Sequence, residues 1–255
     1  MRKLRIYCCK DYDEMSNKAA ALVAAKIISD NCAVLGLATG STPEGLYKRL
    51  VQWNNDGLFS FEKVQTVNLD EYCGLPADHD QSYAYFMRHN LLDHIDIKLE
   101  NTHLPDGMEL DPKKACEDYD KVLEEVGRQD VQLLGLGNNG HIGFNEPGDE
   151  FKPNVNHVML TQSTIEANAR FFDSIDDVPK SAYTMGFKAI MRAKQILLVV
   201  SGAGKADILE KSLFGPITPK VPASLLQLHH DVIVYADEDA MSKIKELHPE
   251  AVLSF

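Results

Sequence analysis

Short apolar runs alternate with longer amphipathic segments along this chain. Six runs of aliphatic and β-branched residues are typical of buried parallel strands: residues 4–8, 33–37, 64–69, 131–136, 196–200 and 232–235. Between them, residues 15–28, 81–92, 112–126 and 206–214 have helical periodicity. This alternation predicts an α/β fold with an open, mostly parallel sheet and helices on both faces, a doubly wound, Rossmann-like architecture. Ligands of such sheets bind at the carboxyl ends of the strands, so the residues after each strand are the candidates for function.

Length and composition fit this fold in a single unit. The chain has 255 residues, of which 44% are hydrophobic, and we expect one domain over residues 1–255. The N-terminal apolar run is too short for a signal peptide, and none approaches the roughly 20 residues of a membrane span. The five cysteines (Cys8, Cys9, Cys32, Cys73 and Cys116) have neither C-x-x-C nor zinc-ligand spacing. We therefore expect a cytoplasmic protein with reduced thiols, no metal and no membrane partner.

The charge balance bears on the kind of partner. There are 26 Lys and Arg against 38 Asp and Glu, a formal net charge of −12. An acidic excess of this size argues against nucleic acid, which requires a basic binding surface. It still permits a small anionic ligand, because a few local cations suffice to hold one phosphate.

The run at 33–37 is followed by Thr39, Gly40, Ser41 and Thr42, and then by a helical segment that begins near Pro43. Ser41 with Glu44 three residues later fits a capping box, and proline is favoured in the first helical turn. The same residues also suit a phosphate cradle, in which backbone N–H groups, hydroxyls and the helix dipole meet an anion. Both interpretations remain open from the residues alone.

Two adjacent acids, Asp70 and Glu71, follow the run at 64–69. At the end of a strand they would lie at the rim of the predicted site. Successive side chains on a strand point to opposite faces, so at most one of the two is expected to face a ligand. A strand-end acid serves either as a catalytic group or as a cap or solvated residue.

The run at 131–136 leads into the sequence GLGNNGHIGFNEP at 135–147. Its glycines match G-x-G-x-x-G, but a dinucleotide site needs a helix to begin there, and Gly143 and Pro147 oppose one. We therefore reject nucleotide binding. What remains is a glycine-rich loop that presents His141 and Glu146, with Asn139 close by, as a candidate acid–base group.

Two cations stand near the later strands. Lys205 follows the run at 196–200 in the sequence SGAGK, which is not a Walker A motif; it is either a second anion contact or a solvated lysine. Arg170 lies in the polar, interrupted segment 161–183, which has the character of a movable lid. Closure of this lid segment would bring Arg170 over a bound phosphate.

Five segments together resemble glucosamine-6-phosphate deaminases: LATGSTP at 37–43, NLDEY at 68–72, GLGNNGHIGFNEP at 135–147, ARFFD at 169–173 and ASLLQLH at 223–229. The resemblance implies conversion of glucosamine 6-phosphate and water into fructose 6-phosphate and ammonia, in amino-sugar catabolism and without a cofactor. The implied partner is therefore a small-molecule amino-sugar phosphate.

The resemblance also assigns roles to residues. It implies that Asp70 accepts the proton removed during enolisation, and that His141 accepts a proton in ring opening, tuned by Glu146 and oriented by Asn139. It implies a phosphate site formed by Thr39, Gly40, Ser41, Thr42, Arg170 and Lys205.

This chain departs from the family pattern in two places. Some members have an aspartate at the position of Asn139, so we predict that His141 is less biased here toward its charged form. Hexameric members are activated by N-acetylglucosamine 6-phosphate through basic residues after the N-E-P motif. This chain has Asp149, Glu150, Asn156 and Val158 there. We hypothesise that it lacks this activation, which leaves open whether it forms a homo-oligomer.

Two alternatives stand beside the deaminase. A 6-phosphogluconolactonase-like hydrolase would use the same fold and the histidine loop to cleave a sugar-phosphate lactone. A non-catalytic sugar-phosphate-sensing domain would bind the ligand without turnover. A lactonase explains the DEY and NEP sequences less well. Sensors of this kind carry a DNA-binding extension, for which this chain has neither the spare length nor the basic charge.

Overall fold

The computed structural model describes residues 3–254. Residues 1, 2 and 255 of the expected domain lie outside the described residues. Within that range, eleven strands and eight α-helices follow one another. The strands are β1 (Lys3–Cys9), β2 (Val34–Leu37), β3 (Gln65–Asn68), β4 (Asp70–Tyr72), β5 (Thr102–His103), β6 (Val131–Leu134), β7 (Asn156–Met159), β8 (Ser181–Thr184), β9 (Ile196–Val200), β10 (Asp231–Asp237) and β11 (Val252–Leu253).

The helices lie mostly between the strands of the main sheet. They are α1 (Tyr12–Ser29), α2 (Glu44–Asn55), α3 (Tyr83–Asn90), α4 (Pro112–Val126), α5 (Gln162–Asn168), α6 (Phe187–Arg192), α7 (Ala206–Phe214) and α8 (Ser242–Leu247). Short 3₁₀ segments precede or follow several of them, among them Ala169–Phe171 and Ala203–Lys205.

The main sheet has eight parallel strands in the order β11-β1-β10-β9-β6-β2-β3-β5. The chain runs outward from β2 to β5, returns to β6 beside β2, and then proceeds the other way. Right-handed crossovers therefore place α1, α2 and α3 on one face and α4, α6, α7 and α8 on the other. In agreement, α1 packs on α2, and α7 packs on α8. The reversal between β2 and β6 is a topological switch point, where such sheets bind ligands.

The central strands are buried because helices cover both faces. Every residue of β2, β6 and β9 is buried. This is why β2 and β9 have no polar residue, and β6 has only the buried Gln132 among apolar neighbours. The α/β prediction with an open, mostly parallel sheet is confirmed. Strand β9 and helices α4 and α7 have the predicted ends, and the other predicted strands are shifted by a few residues.

A second sheet, with the order β4-β8-β7 and antiparallel pairing, was not predicted. Its strands are short and partly polar, so they carry no apolar run. The chain crosses into it at Leu69, whose N–H donates to Leu37 in the main sheet and whose carbonyl accepts from Met185. The predicted lid segment 161–183 was too long at its end, because residues 181–183 form part of β8 and Ala182 and Tyr183 are buried there.

Candidate active site

A cavity of about 600 Å³ opens at the carboxyl ends of the central strands, over the switch point. It is lined by residues of the segments predicted to carry function: 38–42 after β2, 69–70 after β3, 135–143 after β6, and Ser201 and Lys205 after β9. Helix α5 and Arg170 of the lid segment close one side. The fold therefore brings together residues separated by more than 150 positions in the chain.

The loop after β2 is held from a distance by Tyr12. The Tyr12 hydroxyl donates to the Ser41 carbonyl (3.0 Å) and accepts from the Gly45 N–H (2.9 Å). Helix α2 begins at Glu44 after Pro43, with no capping hydrogen bond from a side chain at Pro43. The capping-box interpretation of Ser41 and Glu44 is therefore wrong, because the tyrosine takes the first-turn N–H and Ser41 instead faces the cavity.

Asp70 and Glu71 point in opposite directions, as alternation along β4 predicts. Asp70 lines the cavity and is 5% exposed. Glu71 turns away and accepts hydrogen bonds from the N–H groups of Tyr72 (2.9 Å), Tyr83 (2.8 Å) and Ala84 (2.8 Å) at the start of α3. Burial, and secondarily the charge of Glu71, raise the pKa of Asp70 well above its ordinary value. Asp70 is thus a strengthened base facing the cavity, while Glu71 is a structural acid.

The glycines after β6 leave room for a histidine rather than a nucleotide. The His141 ring lies against Gly137, where an added Cβ would fall 2.3 Å from Nε2. Gly143 has φ +56°, and its backbone lies close to the Asp70 carboxyl. A Cβ added at Gly143 would lie 3.3 Å from Asp70 Oδ2. Of the three glycines in the G-x-G-x-x-G match, Gly137 is therefore the one that gives the imidazole its room, whereas a Cβ at Gly140 would meet Val221 and Ile208 instead.

Glu146 is surrounded by donors. Its Oε2 accepts from Asn139 Nδ2 at 2.6 Å and lies 3.5 Å from His141 Nδ1, and its Oε1 accepts from the hydroxyls of Thr161 (3.3 Å) and Thr164. Burial alone would raise the pKa of Glu146, but the interactions with His141, Thr164 and Asn139 outweigh it and lower the pKa to about 2. The carboxylate is therefore ionised throughout the physiological range.

Asn139 contacts the histidine differently from the expectation. Its Oδ1 accepts from the backbone N–H of His141 (3.2 Å), and its Nδ2 holds Glu146. It therefore orients the acid and the loop backbone, and the ring is faced by the carboxylate instead of the amide. An amide placed two residues before the histidine reaches the main chain more easily than the ring.

Lys205 reaches inward from the 3₁₀ segment Ala203–Lys205. Its Nζ donates to the Leu136 carbonyl at 2.7 Å, so the interpretation of a solvated lysine is wrong. The loop before it is fixed by Asp237, which accepts from the Ser201 hydroxyl and the Gly202 N–H. Burial, and secondarily the charge of Arg170, lower the pKa of Lys205 to about 8. Two cations close together over one cavity are suited to an anion.

Arg170 joins the two sides of the cavity mouth. Its Nη2 donates to the Ser41 hydroxyl at 3.5 Å, which brings the lid segment to the loop after β2. Arg170 thus lies beside Ser41 and near Lys205, and all the predicted phosphate-site residues, with Thr39, Gly40 and Thr42, line the same cavity.

The acids expected to repel an effector phosphate are themselves paired. Asp149 lies 2.7 Å from Lys220, and Glu150 pairs with Lys152. Their repulsion is therefore weaker than the sequence suggested, and the absence of activation now depends on Asn156 and Val158. It stays a prediction.

Within residues 3–254, no group of three or more His, Cys, Asp or Glu side chains is arranged to hold a metal ion. Over the same range, none of the helices has the length and apolar character needed to cross a bilayer.

Sequence reasoning missed several residues of the site. Tyr12, Thr161, Thr164 and Asp237 precede or follow the recognised motifs and act through tertiary contacts. One local signal was available: Thr161 is the N-cap of α5 and accepts from the Thr164 N–H, a hydroxyl pattern typical of helix starts.

Comparison with known proteins supplies an independent line of evidence. A family model for glucosamine-6-phosphate isomerases/6-phosphogluconolactonase matches residues 10–235. A glucosamine-6-phosphate deaminase of Clostridioides difficile (strain 630) is 53% identical over 241 residues, 94% of this chain and 97% of that protein. A solved structure described as a monomeric glucosamine-6-phosphate deaminase has a TM-score of 0.91 at 45% identity, covering 94% of this chain and 99% of that one. The 6-phosphogluconolactonase of Trypanosoma brucei has a TM-score of 0.77 at 21% identity, covering 96% of this chain and 100% of that one, a likeness of fold alone.

Proposed function

The chain belongs to the family of glucosamine-6-phosphate isomerases and 6-phosphogluconolactonases, and from that premise we propose that it is a glucosamine-6-phosphate deaminase. It converts glucosamine 6-phosphate and water into fructose 6-phosphate and ammonia. The relatives that bear this name are about half identical to it over nearly the whole chain, whereas the lactonase structures are like it in fold alone.

The proposal depends most on where Asp70 lies and on how buried it is. Lactone hydrolysis needs an activated water at the lactone carbonyl, whereas isomerisation needs a base placed to remove the carbon-bound proton next to the aldehyde, a slow transfer from carbon. A buried carboxylate with a raised pKa, on the wall of a cavity with cations at its other end, is suited to that task.

Ring opening comes first and is assigned to His141. With Glu146 ionised, the proton of the neutral imidazole is favoured on Nδ1, which faces the carboxylate, so Nε2 is left as the acceptor. His141 takes the proton of the O1 hydroxyl and returns a proton to the ring oxygen as the C1–O5 bond breaks. The product is the open-chain aldehyde, and the net proton count is unchanged.

Enolisation and deamination follow. Asp70 removes the proton at C2 while the C1 carbonyl oxygen gains one, which gives an enolamine. Protonation at C1 then forms the imine at C2, water adds to that carbon, and ammonia leaves to give the ketone. Each positioned acid–base group contributes on the order of 10²- to 10⁴-fold to such steps.

The phosphate is assigned to the Thr39–Thr42 loop with Arg170 and Lys205. Binding the non-reacting end of the sugar in this way orients C1 and C2 at the other end of the cavity. All of these residues come from one chain, so a monomer is sufficient for the site. We further propose one domain over residues 1–255 and a cytoplasmic location, since the five cysteines are free thiols and a reducing compartment keeps them so.

The test is to incubate the protein with glucosamine 6-phosphate and measure ammonia and fructose 6-phosphate. We expect turnover, and we expect Asp70→Asn to lower kcat by about 10³- to 10⁴-fold with little change in KM. Asp80→Asn, at an exposed position before α3, is the matched control and should retain full activity. Substrate binding without turnover would favour a sensor, and lactone hydrolysis without ammonia a lactonase; either result contradicts the proposal.

A further inference from the structure

Helix α5 makes a polar contact with the acid–base pair that the proposed mechanism leaves unused. The hydroxyls of Thr161 and Thr164 both lie at Oε1 of Glu146, on the side of the carboxylate away from Asn139. Thr164 is 5% exposed, and the Glu146 side chain is 6% exposed, so water does not readily replace these donors.

The two threonines are not equivalent. Thr161 is the N-cap of α5, and its oxygen also accepts from the Thr164 N–H at 3.4 Å. Its contact to Glu146 is the longer one, at 3.3 Å. Thr164 makes the closer hydrogen bond, and residues three apart on a helix lie on one face, which brings both hydroxyls to the same oxygen.

We propose that Thr164 is a positioning residue for the reaction, whose hydroxyl fixes the Glu146 carboxylate so that Oε2 faces His141. The expected loss of kcat rests on the proposed function, whereas the orientation of the Glu146 carboxylate rests on geometry alone. Asn139 holds Oε2 and Thr164 holds Oε1, so the carboxylate is restrained from both sides and does not rotate about its terminal bond.

This contact links the lid segment to the chemistry. Thr164 belongs to the same segment as Arg170, which reaches Ser41 at the phosphate end. The lid segment thus contacts the proposed phosphate site through Arg170 and, through Thr164, the carboxylate that orients the histidine. With α5 packed beside the cavity, the hydroxyls of Thr161 and Thr164 join Asn139 as hydrogen-bond donors to Glu146.

The test compares Thr164→Val, which keeps the shape and removes the hydroxyl, with Thr164→Ser, which keeps the hydroxyl. We expect the valine variant to lose about 10-fold in kcat with KM changed little, and the serine variant to recover most of it. Gln162→Ala, at an exposed position in the same turn, is the control and should behave as the parent protein.

A second measurement needs no substrate. In a carboxyl ¹³C NMR titration, Thr164→Val should move the pKa of Glu146 upward from its low value, because a donor to the ionised form is lost; Thr164→Ser should not. A folded valine variant with unchanged Glu146 titration and kcat would overturn the proposal. If the parent protein released no ammonia, the proposed function would fail, and the titration would still decide whether Thr164 positions the acid.

Discussion

Lys205 lines the cavity, and Glu146 lies behind His141, which also lines it. The surroundings of Glu146 stabilise its charged form, whereas those of Lys205 destabilise its charged form. Glu146 is met by an amide, two hydroxyls and an imidazole, and its pKa falls to about 2. Burial, and secondarily the charge of Arg170, lower the pKa of Lys205 to about 8, although its Nζ donates to the Leu136 carbonyl. We propose that the protein itself completes the surroundings of Glu146, at the reacting end, whereas a bound phosphate would complete those of Lys205, at the anion end.

This difference separates the effects expected on kcat from those expected on KM. Changes at the reacting end disturb groups that are preorganised for the transition state, so they lower kcat. Changes at the anion end remove binding energy, so they raise KM first. Three substitutions test the distinction, beginning with the largest expected effect.

The largest effect of the three is expected from His141→Gln. Loss of the imidazole removes the acceptor for the O1 proton, and we expect kcat to fall by about 10²- to 10³-fold, measured by ammonia release. The loss should stay below that of Asp70→Asn, because amino sugars also open slowly in water without a catalyst. His157→Gln, on an exposed position of β7, is the control; an equal loss there would contradict the assignment.

A smaller effect, confined to binding, is expected from Lys205→Met. We expect KM to rise by about 10- to 100-fold, the contribution of one charge-assisted hydrogen bond, with kcat nearly unchanged. The parent KM should rise above about pH 8, by up to about 10-fold per pH unit, because the phosphate prefers the ammonium form of Lys205, which is lost above that pKa. The variant should lack this rise.

Lys211→Met, exposed on α7, provides the matched control for this charge removal. A rise in KM above pH 8 that persists in Lys205→Met would assign the titration to another group. A fall in kcat as large as the rise in KM would show that the two ends of the cavity are not separable.

The smallest effect is expected from Tyr12→Phe. The substitution removes the hydroxyl that joins Ser41 and Gly45, which are neutral partners, so KM and the inhibition constant of inorganic phosphate should rise about 3- to 10-fold. Tyr85→Phe, partly exposed on α3, is the control. If phosphate inhibition is unaltered while kcat falls, Tyr12 does not act through the loop.

Several features of the site were predictable because their signals are local. Strand β9 and helices α4 and α7 follow from short-range periodicity, and the location of the site in the segments after the strands follows from topology. The alternation of Asp70 and Glu71 needed only the geometry of a strand. The small antiparallel sheet escaped, because its strands have no apolar run and depend on pairing for their existence.

The sequence by itself determined the α/β fold, the family resemblance, and the segments after the strands that carry Asp70, His141 and Lys205, because each depends on residues adjacent in the chain. Only the tertiary structure decided which groups surround them. Tyr12 rather than Ser41 accepts the Gly45 N–H in the first turn of α2, and the Thr164 hydroxyl donates to the Glu146 carboxylate. Burial and contacts with residues distant in the chain shift each pKa, and the net charge of −12 does not say which residue is buried or which hydroxyl, imidazole or arginine lies beside it.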